Sequence, residues 1–370
     1  MKKKILVVAS TTEHLMNFHI PYIEELKKDY DVFTMAKDGD FKYADFDIAF
    51  EKKIISFKHC ACVRKIYNIL KEQNFDTIIL NTSLAAWIVR IAIKKLKNKP
   101  NVINIVHGYL FDEKSSFVKR FGYVRVEKHF KNVTNSVVVM NNEDLDIVKT
   151  YKLAKDHVVK IEGMGIDGER FKKTHEKKYD VKNNPKFSFI GELSARKNQL
   201  FLIKFVEQLK KFGFEPTLNL IGWGIQKKKL EKYIKKHNLE ESVKLIGYDT
   251  EIETHLAESD YYVCASKIEG LPFNILEAMY AGRVIFSSDT KGSVDLIDDF
   301  ENGILFENGN MEDFVSKFRI VNNSIEMQKK IRKNAIKTAE KYLIKNVFDE
   351  NIKIFKDLIE GTNNSGKIES

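Results

Sequence analysis

The sequence predicts an α/β protein built from two doubly wound, Rossmann-like domains, and three observations carry that expectation. Short β-branched runs alternate with longer amphipathic stretches along the chain, the pattern of parallel sheets with helical crossovers. At 370 residues the chain exceeds one ordinary core. A charged stretch without apolar periodicity, Asp167 to Asn184, runs into Pro185 and separates two such series.

In the first series the apolar runs place strands at Lys4 to Ala9, Asp31 to Met35, Asp76 to Asn81, Asn101 to Val106, Ser136 to Met140 and His157 to Ile161. Helical spacing places helices at Phe18 to Lys28, Val63 to Glu72, Leu84 to Lys97, Ser115 to Phe130 and Glu143 to Tyr151. The second series has strands at Phe187 to Ile190, Thr217 to Ile221, Val243 to Ile246, Tyr261 to Cys264 and Val284 to Ser287. From Met311 to Ile359 the chain reads helical, and Gly361-Thr-Asn-Asn-Ser-Gly reads as a frayed tail. The organisation expected is a domain over residues 1–165, a linker over 166–184 and a second domain over 185–344.

Composition narrows the function classes. With 43% hydrophobic residues, 5 Pro and 18 Gly, disordered and collagen-like chains are excluded. The 62 Lys and Arg against 52 Asp and Glu give a formal charge of +10, which favours anionic ligands or surfaces, although a Lys-rich background gives the same bias. Three scattered cysteines, Cys60, Cys62 and Cys264, form no disulfide framework and suit a reducing cytoplasm. His59, Cys60 and Cys62 lack the spacing of a zinc knuckle, so no metal is expected there. The apolar run Ile5 to Ala9 is short for a signal peptide, and Ala85 to Ile93 is broken by Arg90. Membrane contact is therefore expected to be peripheral.

Several motifs carry chemistry. Gly163-Met-Gly165-Ile-Asp-Gly168 matches G-x-G-x-x-G, yet the residues after it have no packing face for the helix a dinucleotide site needs. Gly222-Trp-Gly224 follows a strand and precedes a helical stretch, the order a phosphate loop requires, and equally the order of a turn whose backbone simply needs glycine. In Gly191-Glu-Leu-Ser-Ala-Arg196-Lys197-Asn198 two cations stand where a helix dipole favours anions, which suits a bound diphosphate; the alternative is a solvated basic turn. In Glu269-Gly270-Leu271-Pro272-Phe273-Asn274-Ile-Leu-Glu277, Pro272 suits the first helical position, Glu269 the loop and Glu277 an early helical turn. Such a Glu pair beside backbone amides suits vicinal sugar hydroxyls. Asp45-Phe-Asp47 and Asp144-Leu-Asp146 spell D-x-D but stand in the first domain, apart in sequence from the phosphate loops.

These motifs resemble those of the retaining GT-B glycosyltransferases of family 4, of the bacterial capsule, O-antigen and exopolysaccharide type. EGLPFNILE with AMYAG resembles the Glu-x7-Glu element of that family, GELSARKNQ its phosphate turn, GMGID its approach to the linker and HGYLF its HGFHF-like loop; EHLMNFHIPYIEEL is similar to the opening of such transferases. The resemblance implies two Rossmann-like domains facing a cleft, with a C-terminal helix over 345–361 packing back on the first domain. It implies Glu269 and His107 beside the transferred sugar, Arg196 and Lys197 on the diphosphate, and Glu277 on the ribose. It also implies that Gly270, Leu271, Pro272, Phe273, Gly222, Gly224, Gly247 and Tyr248 line the nucleotide, with no metal or other cofactor. One departure is Glu192, where the family usually carries arginine, with Arg196 as the candidate substitute.

The implied reaction moves a hexose or N-acetylhexosamine from a nucleotide sugar, with UDP the expected carrier, to a sugar acceptor on a lipid carrier, with retention, at the inner face of the membrane. Basic and aromatic residues interleaved from Tyr109 to Lys128 suit an anionic surface, or else form an amphipathic helix whose aromatics pack inward. An epimerase or hydrolase of the same fold and a non-catalytic family member stand as alternatives. Nucleic-acid binding would need a base-reading helix or an aromatic RNA signature, and neither is found.

Overall fold

The computed structural model describes residues 2–39, 42–50, 58–174 and 180–362. They fall into two units, Met1–Gly165 with Val347–Ser370, and Ile166–Asn346.

In the first unit a seven-stranded sheet is formed by β1 (Lys4–Thr11), β2 (Asp31–Lys37), β3 (Phe46–Asp47), β4 (Thr77–Asn81), β5 (Asn101–Val106), β6 (Ser136–Val139) and β7 (His157–Lys160). The order is β3-β2-β1-β4-β5-β6-β7, and all pairs are parallel. Parallel strands need covering on both faces, and so their interiors are continuously apolar: Ile5 to Ala9 and Ile78 to Leu80 are buried throughout. The helices are α1 (Thr12–Phe18), α2 (Ile20–Lys27), α3 (Lys58–Gln73), α4 (Ser83–Lys94), α5 (Phe117–Phe130) and α6 (Asn142–Tyr151). The helix expected over Phe18 to Lys28 is α2, and an unanticipated α1 precedes it; the two are separated at His19, because Pro21 lacks the amide that a continuous helix would require. Buried Arg90 on α4 holds both carboxylate oxygens of Glu127 on α5, at 2.9 and 3.0 Å, and so fixes α5 against the sheet.

The second unit repeats the plan with β8 (Lys186–Ile190), β9 (Thr217–Ile221), β10 (Val243–Gly247), β11 (Tyr261–Cys264), β12 (Val284–Ser288) and β13 (Ile304–Phe306). Their order is β10-β9-β8-β11-β12-β13, again all parallel. Its helices are α7 (Gln199–Lys211), α8 (Lys227–Lys236), α9 (Ile252–Glu258), α10 (Phe273–Tyr280), α11 (Ser293–Leu296), α12 (Met311–Asn322) and α13 (Ile325–Glu340). Stacked phenylalanines dominate its core, with Phe314 lying 3.7 Å from Phe205 and 4.2 Å from Phe306 between ring centroids.

The helical stretch Met311 to Ile359 comprises three helices, separated where Ser324 caps α13 and again between α13 and α14 (Ile344–Glu360), the last of them the expected C-terminal helix. Within the first unit Phe355 and Phe348 of α14 pack on Tyr22, while Asn351 donates to Tyr22 Oη and to the Gly163 carbonyl. Of the expected 166–184 connection, Ile166 pairs with Leu343 and Thr174 donates to the Ala281 carbonyl, both inside the second unit. Residues 175–179 lie outside the described residues, as do 363–370 of the expected tail.

Candidate functional site

In a doubly wound sheet, ligands bind beyond the carboxyl ends of the strands, where the strand order reverses. In the second unit that point lies between β8 and β11. The turn after β8 carries Arg196 and Lys197, and the loop after β11 carries Glu269. Two strands drawn together by sheet topology thus join residues 72 or 73 positions apart. Lys267 N donates to the Arg196 carbonyl at 2.8 Å and fastens the two loops.

Glu269 is buried and accepts from both cations: Lys197 Nζ lies 2.5 Å from Oε1 and Arg196 Nη1 2.9 Å from Oε2. Burial pushes the Glu269 carboxyl up, but Lys197 and Arg196 outweigh it and hold the group below the ordinary carboxylate range. Arg196 also donates to the Ile268 carbonyl at 3.1 Å. Lys197 is almost enclosed, with 10% side-chain exposure, whereas Arg196 keeps 35% and faces outward. Two cations and one carboxylate leave a net positive charge at a strand-end crevice, an electrostatic setting for a phosphate group. Glu192 is exposed, and its backbone carbonyl accepts from buried Gln199.

Pro272 is the N-cap of α10 rather than its first helical residue, with φ −78 and ψ 92. The residue before the helix must take an extended ψ, which proline permits. Gly270, Leu271, Pro272 and Phe273 form the entry to α10, seated deeply: Gly292 passes so close to Gly270 that a Cβ at 292 would overlap the Gly270 carbonyl oxygen. Asn274 ties α10 to β8 through the Ile190 carbonyl at 2.9 Å and to β11 through Tyr262 Oη at 2.7 Å. Glu277, one helical turn further along, is largely enclosed, and burial lifts its carboxyl to about 7; Arg170 pulls it down and Glu253 pushes it up. Arg170 itself donates to Glu253 at 2.7 Å. Sequence reading missed Arg170 and Glu253, for neither stands in a motif.

Gly222 and Gly224 have a backbone explanation. Cβ atoms there would overlap the carbonyl oxygens of Gly191 and Leu193, because Gly191 N donates to Ile221 O and Leu193 N to Trp223 O, both at 2.9 Å. Gly222 N in turn donates to Gly247 O at 2.6 Å, so the turns after β8, β9 and β10 are zipped side by side. They present Trp223, Ile225, Ile246 and Tyr248, all exposed. The helix α8 starts at Lys227 with no side-chain cap.

The remaining motifs are structural. Gly163 and Gly165 adopt positive φ at the exit from the first unit, and the chain beyond Gly168 forms a 3-10 turn, Glu169–Thr174, in place of a long helix. Asp45 accepts from Thr34, Asp47 from the Asp38 amide, and Asp144 donates its amide to the α6 cap Asn141 while its carboxylate accepts from the Tyr109 amide, so both D-x-D tripeptides brace their own surroundings. Cys60 and Cys62 lie on α3, and the His59 side chain lies outside the described residues. The basic and aromatic segment divides in two. Tyr109 and Phe111 are buried and Tyr123 stacks on Phe111 at 5.5 Å, whereas Phe117 and Phe121 on α5 are 72% and 54% exposed. His107 follows β5 in the first unit, and its ring meets His14 and His19.

Residues 171–338 match the family described as glycosyl transferases group 1. That match contains Arg196, Lys197, Glu269 and Glu277. Among curated relatives, a Bacillus subtilis (strain 168) protein, EpsD, provisionally named a glycosyltransferase, is 26% identical over 92% of this chain and 93% of its own length. The Escherichia coli UDP-Gal:alpha-D-GlcNAc-diphosphoundecaprenol alpha-1,3-galactosyltransferase is 25% identical over 72% of this chain and 71% of its own. Among solved structures, Anabaena Alr3699/HepE in complex with UDP and glucose superposes with a TM-score of 0.74 at 20% identity, covering 97% of this chain and 99% of that one. This last likeness shows the fold: two doubly wound domains of the GT-B class.

Proposed function

We propose that this chain is a retaining glycosyltransferase. It moves a hexose or N-acetylhexosamine from a UDP-sugar to a lipid-linked sugar acceptor in the synthesis of a bacterial surface polysaccharide. The observation that carries the reading is the Arg196, Lys197 and Glu269 cluster at the strand-order reversal of the group 1 unit. The E. coli relative names a UDP-sugar donor and a diphosphoundecaprenol-linked acceptor.

In this reading the sugar C1–O bond breaks with its electron pair passing to the diphosphate. Lys197 and Arg196 stabilise the charge that develops there, as preorganised cations in a water-poor site do best. No metal ion is needed at the diphosphate, since two side-chain charges already face it. The acceptor oxygen bonds to C1 on the same face and its proton goes to the departing diphosphate, so positioning carries much of the catalysis. Glu277 accepts from the ribose hydroxyls, and Tyr248 or Trp223 offers an exposed ring to the base. Glu269 keeps the two cations in place before the donor arrives and meets the sugar afterwards.

The acceptor would be reached at an anionic membrane through α5, where Phe117, Val118 and Phe121 are exposed beside Lys119, Arg120, Arg125 and Lys128. Among the described residues no helix is long and apolar enough to cross a membrane.

The test is thermal-shift screening with UDP, GDP, ADP and their sugar conjugates without added metal, because a ligand of the native state raises the melting temperature. A selective rise with UDP and its sugars is expected, followed by transfer to a lipid-diphosphate sugar. No rise with any nucleotide sinks the reading.

A further inference from the structure

Three imidazoles meet in the first unit although they come from distant parts of the chain. His14 lies on α1, His19 occupies the break between α1 and α2, and His107 follows β5. The helix break matters here, because it turns His19 toward the ring of His14, with centroids 5.3 Å apart. His107 stands edge-on to both, at 4.6 Å from His14 and 5.3 Å from His19. The Nε2 atoms of His14 and His107 are 3.4 Å apart, and one ring nitrogen from each of the three residues lies within 4.8 Å of the others.

A hydrogen bond between His14 and His107 would explain the 3.4 Å approach. It leaves the third residue unexplained: His19 Nε2 is buried without a hydrogen-bond partner among the described residues. A buried ring nitrogen without a partner is costly unless something binds it. Burial lowers His14 to about 4, and burial with the neighbouring imidazoles drives His19 and His107 down as well.

We propose that His14, His19 and His107 form a three-histidine site for a divalent transition-metal ion of the Zn²⁺ class, with the fourth position open to water or a hydroxyl. Nitrogens held about 2.0–2.1 Å from a tetrahedral ion lie roughly 3.3 Å from one another. The His14 and His107 pair already has that edge, and a His19 ring nitrogen stands within 4.8 Å of both to complete the triangle. An all-imidazole donor set selects Zn²⁺, Co²⁺, Ni²⁺ or Cu²⁺ over Mg²⁺ and Ca²⁺, which prefer oxygen. The site is on different elements from Arg196 and Lys197, and it does not rest on the glycosyl-transfer reading. His107 is shared by both, so the site is tested by metal binding rather than turnover.

The full chain is stripped with chelator, loaded with Zn²⁺ or Co²⁺, passed through gel filtration and analysed for metal. The expected result is roughly one Zn²⁺ per chain, with Co²⁺ giving the intense visible bands of a four-coordinate ion. His14→Ala and His107→Ala should each weaken retention by about tenfold or more, the scale on which even supporting residues act, while His129→Ala leaves it unchanged. His19 is buried and His19→Ala can fail to fold, so the partly exposed His14 carries the mutational test. Independently, Zn²⁺ should raise the melting temperature of the unmutated chain and Mg²⁺ should not. Substoichiometric metal, retention that survives His14→Ala and His107→Ala, or no thermal shift with Zn²⁺ overturns the proposal.

Discussion

Replacing Glu277 by glutamine isolates one buried carboxyl whose ionisation is set by the fold. Burial raises it from an ordinary 4.5 to about 7, with Arg170 opposing and Glu253 reinforcing the change. A folded carboxyl that holds its proton more tightly than the unfolded one favours folding at low pH. That advantage is lost as pH rises from 4.5 to about 7, because the unfolded group then ionises freely while the folded one resists. The full difference corresponds to about 3 kcal/mol at 1.36 kcal/mol per pH unit. Glu277 keeps some solvent contact, and screening brings the expected effect to about 1–2 kcal/mol. Glutamine cannot ionise, so urea unfolding of both proteins at pH 5 and pH 8 should show the unmutated chain losing about 1–2 kcal/mol relative to Glu277→Gln. The same group links to nucleotide binding: ribose hydroxyls donate to the carboxylate form, so UDP binding near pH 7 should release about half a proton. Calorimetry in buffers of different ionisation enthalpy measures that release. Parallel stability curves for the two proteins, together with no proton release, would refute the burial argument.

Glu269→Ala leaves the enclosed Lys197 without its counter-charge, so a loss of about 3–5 kcal/mol is expected in chemical denaturation, and any protein that folds should turn over more slowly with its nucleotide affinity less affected. Gly222→Ala drives a Cβ into the Gly191 carbonyl and should prevent soluble expression or lower stability by more than about 3 kcal/mol. Gly247→Ala, with φ +95 but open space around the Cβ, should lose only about 1–2 kcal/mol; equal effects at the two glycines would contradict the zipped-turn geometry. Phe117→Ser with Phe121→Ser should reduce co-sedimentation with vesicles containing anionic lipid at low salt, and unchanged sedimentation would remove α5 as the docking surface.

Much of this architecture is legible because parallel strands buried on both faces leave unbroken apolar runs: Asn101–Val106, Thr217–Ile221 and Tyr261–Cys264 are found where those runs predict them. The two strands not anticipated, Phe46–Asp47 and Ile304–Phe306, have two and three residues, too few for any periodicity to register. Pro21 stands inside the first turn of α2, whereas Pro272 caps α10 instead of opening it. Proline announces a helix start, but whether it serves as the cap or inside the first turn depends on the backbone angles around it. Gly222 and Gly224 show a different limit. A phosphate loop and a turn crowded by its neighbour both demand glycine, and only the approach of Gly191 and Leu193 identifies the crowding.

Side chains that act together from separate strand ends are the least legible, since sheet order rather than sequence brings them together. Glu269 could be singled out from its spacing to Glu277, and Arg196 with Lys197 from their unfavourable place at a helix start. That all three meet follows only from β8 lying beside β11. The pairing has a physical consequence for the resting protein. Two cations without a diphosphate would repel each other and leave Lys197 charged in an enclosed site, a heavy burden on stability. By accepting from both, the Glu269 carboxylate lets the fold keep a preformed cationic turn in the absence of ligand. A donor diphosphate arriving there meets charges already positioned, and reorganisation on binding is confined to the partly exposed Arg196.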